Sequence, residues 1–232
     1  MLGNGKVKYS RKRIEEWIWT DLLEADIRNK FWHVKPGDIV FDIGCDFGSY
    51  TLPACADGGY VYAFDPRPEA IRDLHENLTL NGFQDRCTTV ELALTSSRLR
   101  DYSLWMTRPN DLFPGKSERS TILPGYFGGD SLPVTTSTID HVMKQYRIPH
   151  LEWIKMDVEG AELQVIEGGA QTIRKFKPNM LIECHNDHVK GKDIETKVTQ
   201  MVFSIVPDYH YSRDTDLFGW IGSGNPHVFF FI

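Results

Sequence analysis

IVFDIGCDFG, at residues 39–48, predicts a short buried strand that runs into a glycine turn. A second apolar run, YVYAF at residues 60–64, ends on Asp65. Glycine lets a backbone pass close to a ligand with dihedral angles that a Cβ atom would forbid. An acid about 20 residues beyond such a turn accepts hydrogen bonds from ribose hydroxyls. The order of strand, glycine turn, helix, strand and acid therefore indicates a nucleoside-binding unit.

The spacing of Asp42, Gly44 and Gly48 indicates which nucleoside binds. A dinucleotide site has the pattern G-x-G-x-x-G, which seats a pyrophosphate at a helix N-terminus. Here the pattern is D-x-G-x-x-x-G, and a carboxylate at the strand end repels phosphate but suits an ammonium group. S-adenosylmethionine carries an ammonium group, a ribose and no phosphate, so it is the favoured ligand. The alternative is an ordinary strand-to-helix turn in which Gly44 is a tight corner.

Length and composition are typical of one globular domain. The chain has 232 residues, enough for one large α/β domain with a full core. Its net charge of −6 speaks against a nucleic-acid partner, because such proteins present a basic field. No apolar run approaches the ~20 residues that span a bilayer, and residues 1–9 lack the apolar core of a secretory signal. The four scattered cysteines suit reduced thiols, so we expect a cytoplasmic protein.

Strands alternate with helices along the chain, which predicts a doubly wound α/β fold with a mostly parallel sheet. Residues 1–34 are expected to form an N-terminal helical extension, with a helix over 10–32, and residues 35–232 to form the S-adenosylmethionine-binding domain. Beyond the first two strands, the pattern predicts strands at 88–94, 153–158, 179–185, 201–206 and 227–232. A turn-rich linker joins the last two, so they are expected to pair antiparallel.

The segment 109–133 breaks this periodicity with several prolines and glycines. A loop of this length in a compact domain is usually functional or mobile. Two interpretations stay open: a substrate lid, with Tyr126 and Phe127 as contacts, or a structural insertion or hairpin.

The carboxyl ends of the predicted strands locate the site, because ligands of an open parallel sheet bind beyond those ends. The fourth predicted strand has the most polar end. Strand alternation puts Lys155 and Asp157 on one face, and Glu159 follows two residues later. This cluster either positions a nucleophilic hydroxyl or forms a structural network of charges. Its place beside the predicted ligand favours the first interpretation.

The fifth predicted strand ends with Glu183 and His185. A histidine here can remove a hydroxyl proton, because its ordinary pKa lies near neutrality. With Asp157 and Glu159 it can also help to hold a divalent cation. The alternative is a polar strand end that hydrogen-bonds to neighbouring loops. No ligand spacing is specific enough to assert a metal site, and the ligands expected if a metal binds are Asp157, Glu183 and His185.

Longer motifs follow one another along the chain: KPGDIVFDIG at residues 35–44, AFDP at 63–66, IKMDVEGAE at 154–162 and KPNMLIE at 177–183. With these motifs the chain resembles the FkbM family of S-adenosylmethionine-dependent methyltransferases over residues 35–185. The resemblance implies a class I methyltransferase (Rossmann-like) fold and methylation of a hydroxyl on a sugar, glycan or polyketide-type natural product. Two positions depart from the family: Cys45-Asp46 replaces Ala-Asn, and Asp65 replaces Glu.

We therefore predict an S-adenosylmethionine-dependent O-methyltransferase for a small-molecule or glycan acceptor. Asp42, Gly44 and Gly48 are expected to shape the methionine pocket and Asp65 to bind the ribose. Ala93, at the end of the third strand, is expected to border the adenine.

Methyl transfer is an in-line displacement at the sulfonium carbon, so the enzyme must align the acceptor oxygen and exclude water. A neutral hydroxyl is a weak nucleophile, so a base or a metal should assist. Asp157 and His185 are the predicted groups, with Glu159 and Lys155 orienting them. A nucleotide- or NAD-binding oxidoreductase is one alternative, and a non-catalytic protein that retains the fold is the other. The pattern does not distinguish a monomer from an oligomer.

Overall fold

The computed structural model describes residues 7–10, 25–96, 104–107, 122, 131–185, 193–214 and 226–232. The strands within these ranges are β1 (Ile39–Ile43), β2 (Tyr60–Phe64), β3 (Cys87–Val90), β4 (Ala93–Leu94), β5 (Leu104–Thr107), β6 (Ser131–Val134), β7 (Thr136–Ser137), β8 (Trp153–Met156), β9 (Asn179–Glu183), β10 (His210–Asp214) and β11 (His227–Phe231). The helices are α1, described over residues 25–31, and α2 (Thr51–Ala56), α3 (Pro68–Asn81), α4 (Ile139–Gln145), α5 (Glu162–Gly168), α6 (Ala170–Phe176) and α7 (Ile194–Ile205).

A seven-stranded sheet with the order β10-β11-β9-β8-β1-β2-β3 forms the centre of the molecule. The strands from β9 to β3 in this order run parallel to one another. The C-terminal strands β11 and β10 complete the sheet antiparallel. This topology confirms the predicted class I methyltransferase (Rossmann-like) fold and its antiparallel C-terminal strands.

Helices cover both faces of the sheet, as a doubly wound fold requires. Successive strand residues point to opposite faces, so Phe41 and Ile43 of β1 pack on one side and Val40 on the other. The first side is completed by apolar residues of α4 to α7. The second side is completed by those of α1 to α3. The two apolar layers cover the faces of the sheet, so its polar residues are found mainly at the strand ends.

The predicted strand at 201–206 is wrong. Residues 201–205 form the last part of α7, and Val206 is the residue at which the helix ends. Four buried side chains recur along α7 at helical spacing: Ile194, Val198, Val202 and Ile205. Asp193 caps the helix by accepting a hydrogen bond from the amide of Thr196 at 2.9 Å. The antiparallel partner of β11 is instead β10, which follows the helix.

The predicted third strand at 88–94 is interrupted. β3 ends at Val90, whose carbonyl accepts a hydrogen bond from the amide of Leu92 at 3.0 Å. This three-residue turn at Glu91 redirects the chain. β4 therefore leaves the main sheet and pairs with β7 in a separate two-stranded sheet.

Two predictions fall mainly on residues outside the described ranges. The N-terminal helical extension over 1–34 stays a prediction, because residues 1–6 and 11–24 lie outside those ranges. The segment 109–133 is described only at residues 122 and 131–133. Tyr126 and Phe127, the predicted lid contacts, are therefore not among the described residues. β5 and β6, which flank this segment, pair antiparallel.

All four cysteines are free. Within the described ranges, no helix has the length and apolarity needed to cross a bilayer.

The helical assignment of residues 201–205 predicts unequal effects at two neighbouring positions. Val202→Asp places a charge in the core and should cost more than about 3 kcal/mol of unfolding free energy or prevent folding. Ser204→Asp lies on the exposed face of α7 and should change stability by less than about 0.5 kcal/mol. Urea unfolding measures both. A strand would place residues 202 and 204 on one face, so similar losses in both variants would contradict the helix.

Candidate active site

The ends of β1, β2 and β8 are joined by backbone hydrogen bonds at one edge of the sheet. The amides of Gly44 and Cys45 both donate to the carbonyl of Phe64, at 2.9 and 3.1 Å. The amide of Asp157 donates to the carbonyl of Ile43 at 2.9 Å. The glycine turn is thus fixed to β2 on one side and to the end of β8 on the other, where the crevice was predicted.

Two of the predicted cofactor residues must be glycine. Gly44 has φ +80°, and a Cβ atom there would lie 1.7 Å from the carbonyl oxygen of Asp157. Gly48 has φ +100°, and a Cβ atom there would lie 2.6 Å from Leu74 Cδ1. Asp46 also adopts a left-handed conformation, with φ +44°, which Asn and Asp tolerate better than most residues. The departure from Ala-Asn to Cys-Asp therefore keeps a suitable residue at position 46.

Asp42 is buried below the glycine turn. Its Oδ2 accepts a hydrogen bond from Thr51 Oγ1 at 2.5 Å. Burial raises the pKa of Asp42 to about 6, and the charge of Asp157 adds to this, while Lys155 and the Thr51 hydrogen bonds oppose it. The carboxylate is ionised at neutral pH at a cost in desolvation. A cationic ligand group nearby would reduce that cost.

Asp65 follows β2 and lies at the rim of the glycine turn. Its two carboxylate oxygens pair with the guanidinium of Arg67, both at 3.0 Å. Burial lowers the pKa of Arg67, but Asp65 and Asp46 outweigh it and hold the pKa well above its usual range. The predicted ribose acceptor is therefore part of a charged group that sequence spacing did not indicate.

Lys155 lies between the predicted cofactor and catalytic residues. Its side chain is buried, and its Nζ lies 4.7 Å from the centroid of the Tyr50 ring and 3.6 Å from Asp157 Oδ2. The ring and the carboxylate stabilise an ammonium group that water cannot solvate. The predicted placement of Lys155 and Asp157 on one face is borne out by this pair.

His185 is the centre of the second predicted cluster. Its Nδ1 lies 2.7 Å from Oε1 of Glu162, and both side chains are buried. Its Nε2 lies 3.5 Å from Asp157 Oδ1, 3.5 Å from Glu159 Oε2 and 3.7 Å from Glu183 Oε1. One imidazole thus contacts carboxylates from β9, from α5 and from the turn that follows β8.

These carboxylates determine the charge of His185. Burial lowers its pKa, but the hydrogen bond to Glu162 and the charges of Glu183, Glu162 and Glu159 outweigh burial and raise the pKa to about 10. The imidazole is therefore protonated at neutral pH, with Nδ1 hydrogen-bonded to Glu162 and Nε2 facing three carboxylates at 3.5 to 3.7 Å. In this state it holds the carboxylates by charge attraction and cannot itself accept a proton.

Glu183 lies between two histidines. His227 Nε2 is 3.6 Å from Glu183 Oε2. Burial lowers the pKa of His227, and Glu183 partly opposes this. His227 is therefore neutral at pH 7, unlike His185, although both rings lie beside the same carboxylate.

Asp157, Glu183 and His185 come together as the sequence predicted for metal ligands. One ligand atom from each lies within 4.8 Å of the other two. His185 Nε2 lies 3.5 Å from Asp157 Oδ1 and 3.7 Å from Glu183 Oε1, which is close to the separation of neighbouring ligand atoms around an ion with bonds of about 2.0–2.2 Å. The geometry suits a divalent cation, and the role of these residues as ligands stays a prediction.

Ala93 is placed differently from the other predicted residues. It lies in β4, outside the main sheet, and packs with Val134 and Ile122 in a small apolar cluster. Its predicted contact with adenine stays a prediction.

Four further residues contribute to the site. Three of them had no role assigned from the sequence, and Glu162 was predicted only as part of the polar cluster that follows the fourth predicted strand. Glu162 closes the motif IKMDVEGAE and fixes His185, and the same Oε1 accepts a hydrogen bond from the amide of Gly160 at 3.0 Å. Thr51 contacts Asp42, Arg67 contacts Asp65, and His227 contacts Glu183. Only Glu162 lay in a motif that already pointed to chemistry.

The sheet order and the glycine turn define a class I, S-adenosylmethionine-dependent methyltransferase. The model of the methyltransferase FkbM domain matches residues 42–208, which is more than half of the chain. The chain belongs to the FkbM family.

Similar proteins agree with this assignment. The hexuronic acid methyltransferase AglP of Haloferax volcanii is 24% identical over 203 residues, which cover 85% of this chain and 77% of AglP. The 2-O-methyltransferase NoeI of Sinorhizobium fredii is 28% identical over 159 residues, which cover 62% of each protein. The crystal structure of methyltransferase FkbM from Methylobacillus flagellatus superposes with a TM-score of 0.62 at 16% identity, over 90% of this chain and 47% of that one.

The chain thus spans less than two thirds of some of the proteins that it matches. Several other curated methyltransferases match over less than a third of their own length. The shared part is the methyltransferase fold, which binds the cofactor.

The contact between Glu162 and His185 predicts a shift in pKa. Glu162→Gln removes a hydrogen-bonded charge and should lower the pKa of His185 from about 10 toward its ordinary value of about 6.5. Titration of the His185 ring proton by NMR measures this, with Glu167→Gln on the same helix as the control. Because the folded-state pKa is raised, the stabilisation is complete below pH ~6.5 and is lost as the pH rises through about 10. A pKa of His185 that Glu162→Gln leaves unchanged would contradict the account.

Proposed function

We propose that this methyltransferase transfers a methyl group from S-adenosylmethionine to a hydroxyl oxygen of a sugar, glycan or polyketide-type acceptor. The observation that carries the proposal is the carboxylate–histidine cluster at the ends of β8 and β9, directly beside the glycine turn of β1. The names of two relatives, the hexuronic acid methyltransferase AglP and the 2-O-methyltransferase NoeI, favour a sugar-type acceptor and transfer to oxygen.

The cofactor is placed by the residues of β1 and β2. Asp42 and the turn from Gly44 to Gly48 take the methionine part, whose ammonium group offsets the desolvated charge of Asp42. Asp65 takes the ribose. The sulfonium then lies toward the end of β8, because Gly44 brings the backbone of the turn within van der Waals contact of Asp157.

The acceptor hydroxyl is placed by Asp157, whose side chain is 27% exposed and therefore accessible to a ligand. In the reaction a C–O bond forms as the methyl C–S bond breaks, and S-adenosylhomocysteine leaves. The hydroxyl proton passes to the Asp157 carboxylate, which lies within hydrogen-bond reach of an incoming O–H group. The protonated His185 and Lys155 hold this carboxylate from two sides.

The role of His185 in this proposal differs from that of a base. Its raised pKa makes it a donor that orients Asp157 and Glu159, while Glu162 fixes the ring from behind. The predicted base function of the pair therefore rests with Asp157, and Glu159 and Lys155 keep their predicted orienting roles. Alignment of this kind can lower a reaction barrier by about 7–11 kcal/mol.

A divalent cation held by Asp157, Glu183 and His185 is an alternative way to assist the same step. It would displace the Nε2 proton of His185, because a metal-ligating imidazole is neutral. Carboxylate and imidazole groups suit Mg²⁺, Mn²⁺ or Zn²⁺. Bound there, the cation would lower the pKa of an acceptor hydroxyl that coordinates it. The fixed orientation of His185 by Glu162 resembles the carboxylate–histidine arrangement found behind many metal ligands.

The first test of the proposal is methyl transfer to a panel of sugars, uronic acids and polyketide alcohols, followed by mass spectrometry. Asp157→Asn should lower kcat by on the order of 100-fold or more, because it removes the proton acceptor, and should leave the affinity for S-adenosylhomocysteine within about threefold. Asp85→Asn, an exposed residue far from the cluster in sequence, is the control. Full activity of Asp157→Asn would contradict the mechanism and revive a non-catalytic reading of the cluster.

Metal dependence is tested by binding as well as by activity. Calorimetric titration of the wild-type protein with MnCl₂ and MgCl₂ should detect one site, and Glu183→Gln should weaken it by roughly 10-fold or more. Glu76→Gln, on the exposed surface of α3, is the matched control. Methyl transfer that withstands a chelator, together with no metal binding, would exclude the cation and leave Asp157 as the sole assisting group.

A further inference from the structure

The carboxylate of Asp65 has a full set of hydrogen-bond donors. Oδ1 accepts from the backbone amide of Arg67 at 2.9 Å and from its Nε at 3.0 Å. Oδ2 accepts from Arg67 Nη2 at 3.0 Å and from the amide of Asp46 at 3.2 Å. A carboxylate has about four lone-pair sites, so each site is already used.

A ribose needs the same acceptors. Its two neighbouring hydroxyls would donate to the two oxygens of Asp65, where the fork of the Arg67 guanidinium now donates in a bidentate pair. The side chain of Asp65 is 4% exposed and that of Arg67 is 13% exposed, so the guanidinium covers the carboxylate. Ribose and guanidinium cannot occupy these positions together.

Asp46 offers the guanidinium a second partner. Arg67 Nη2 already donates to Asp46 Oδ1 at 2.9 Å, and the side chain of Asp46 is 41% exposed. Rotation of the guanidinium toward Asp46 keeps it in an ion pair. The movement therefore avoids leaving a buried charge without compensation, which is what makes the loss of one partner of a buried pair expensive.

We infer that Arg67 competes with the cofactor ribose for the two oxygens of Asp65 and moves onto Asp46 when S-adenosylmethionine binds. The inference rests on the proposed role of Asp65 as the ribose acceptor. Arg67 is then a competitor that sets cofactor affinity and selects for ligands with two neighbouring hydroxyls. A ligand that offers a single donor does not replace both bonds of the guanidinium.

The inference predicts the sign of two mutational effects, measured by calorimetry with S-adenosylhomocysteine. Arg67→Met keeps the aliphatic stem and removes the competing guanidinium, so the Kd should fall by roughly three- to tenfold, since more of the protein is ready to bind. Asp46→Asn weakens the second partner of Arg67, so the Kd should rise by about threefold or more. Arg72→Met, at an exposed position of α3, is the control and should change the Kd by less than about twofold.

The double variant Arg67→Met/Asp46→Asn separates this inference from a structural role. If the Asp46 carboxylate affects cofactor binding through Arg67, Asp46→Asn should lose its effect in the Arg67→Met background. Thermal unfolding establishes that each variant is folded, and Arg67→Gln replaces Arg67→Met if the latter is not. Weaker or unchanged binding by the Arg67 variant would overturn the inference, because it would make Arg67 a support for Asp65. If the wild-type protein does not bind S-adenosylhomocysteine, the proposed function fails as well.

Discussion

The backbones at Gly44 and Asp157 lie too close together for any side chain to fit between them. A Cβ atom at position 44 would lie 1.7 Å from the Asp157 carbonyl oxygen, so the residue that follows β1 must be glycine if β8 is to pair beside that strand. This constraint puts the turn that we propose holds the cofactor in contact with Asp157, the residue that we propose meets the acceptor. The doubly wound packing of helices on both faces of the sheet holds the two strand ends in that relation.

Charge balance explains why so many ionised groups can gather at this edge. Asp157, Glu159, Glu162 and Glu183 contribute four carboxylates around His185, while Lys155 and the protonated His185 contribute two positive charges. The excess of negative charge attracts a cation. In the proposed function, the sulfonium of S-adenosylmethionine would supply one and a divalent metal would supply another. The position of each carboxylate therefore depends on charge attraction to His185 or Lys155 as well as on the strand, helix or turn that carries it.

Local patterns sufficed for the parallel strands β1, β2, β8 and β9 and for the residues at their ends, because a strand buried on both faces is a short run of apolar residues in the sequence. Residues 201–206 were wrongly predicted as a strand, because a short apolar run fits a strand as well as a helix. The N-cap of the helix, Asp193, lies eight residues before this run. The strand-end rule brought Asp157, Glu183 and His185 together. It could not reveal that Glu162, 23 residues before His185, would set the charge of the imidazole, nor that Arg67 would cover Asp65, since side-chain pairing depends on packing.

The central claim is that cofactor and acceptor meet between the glycine turn of β1 and the cluster at the ends of β8 and β9. A crystal structure of the protein with S-adenosylhomocysteine tests it most directly. We predict the ribose hydroxyls on Asp65 and the sulfur facing Asp157, with open space on the Asp157 side for an acceptor oxygen in line with the transferred methyl group. A sulfur atom that faces away from Asp157 and His185, or a cofactor bound at another edge of the sheet, would contradict the account.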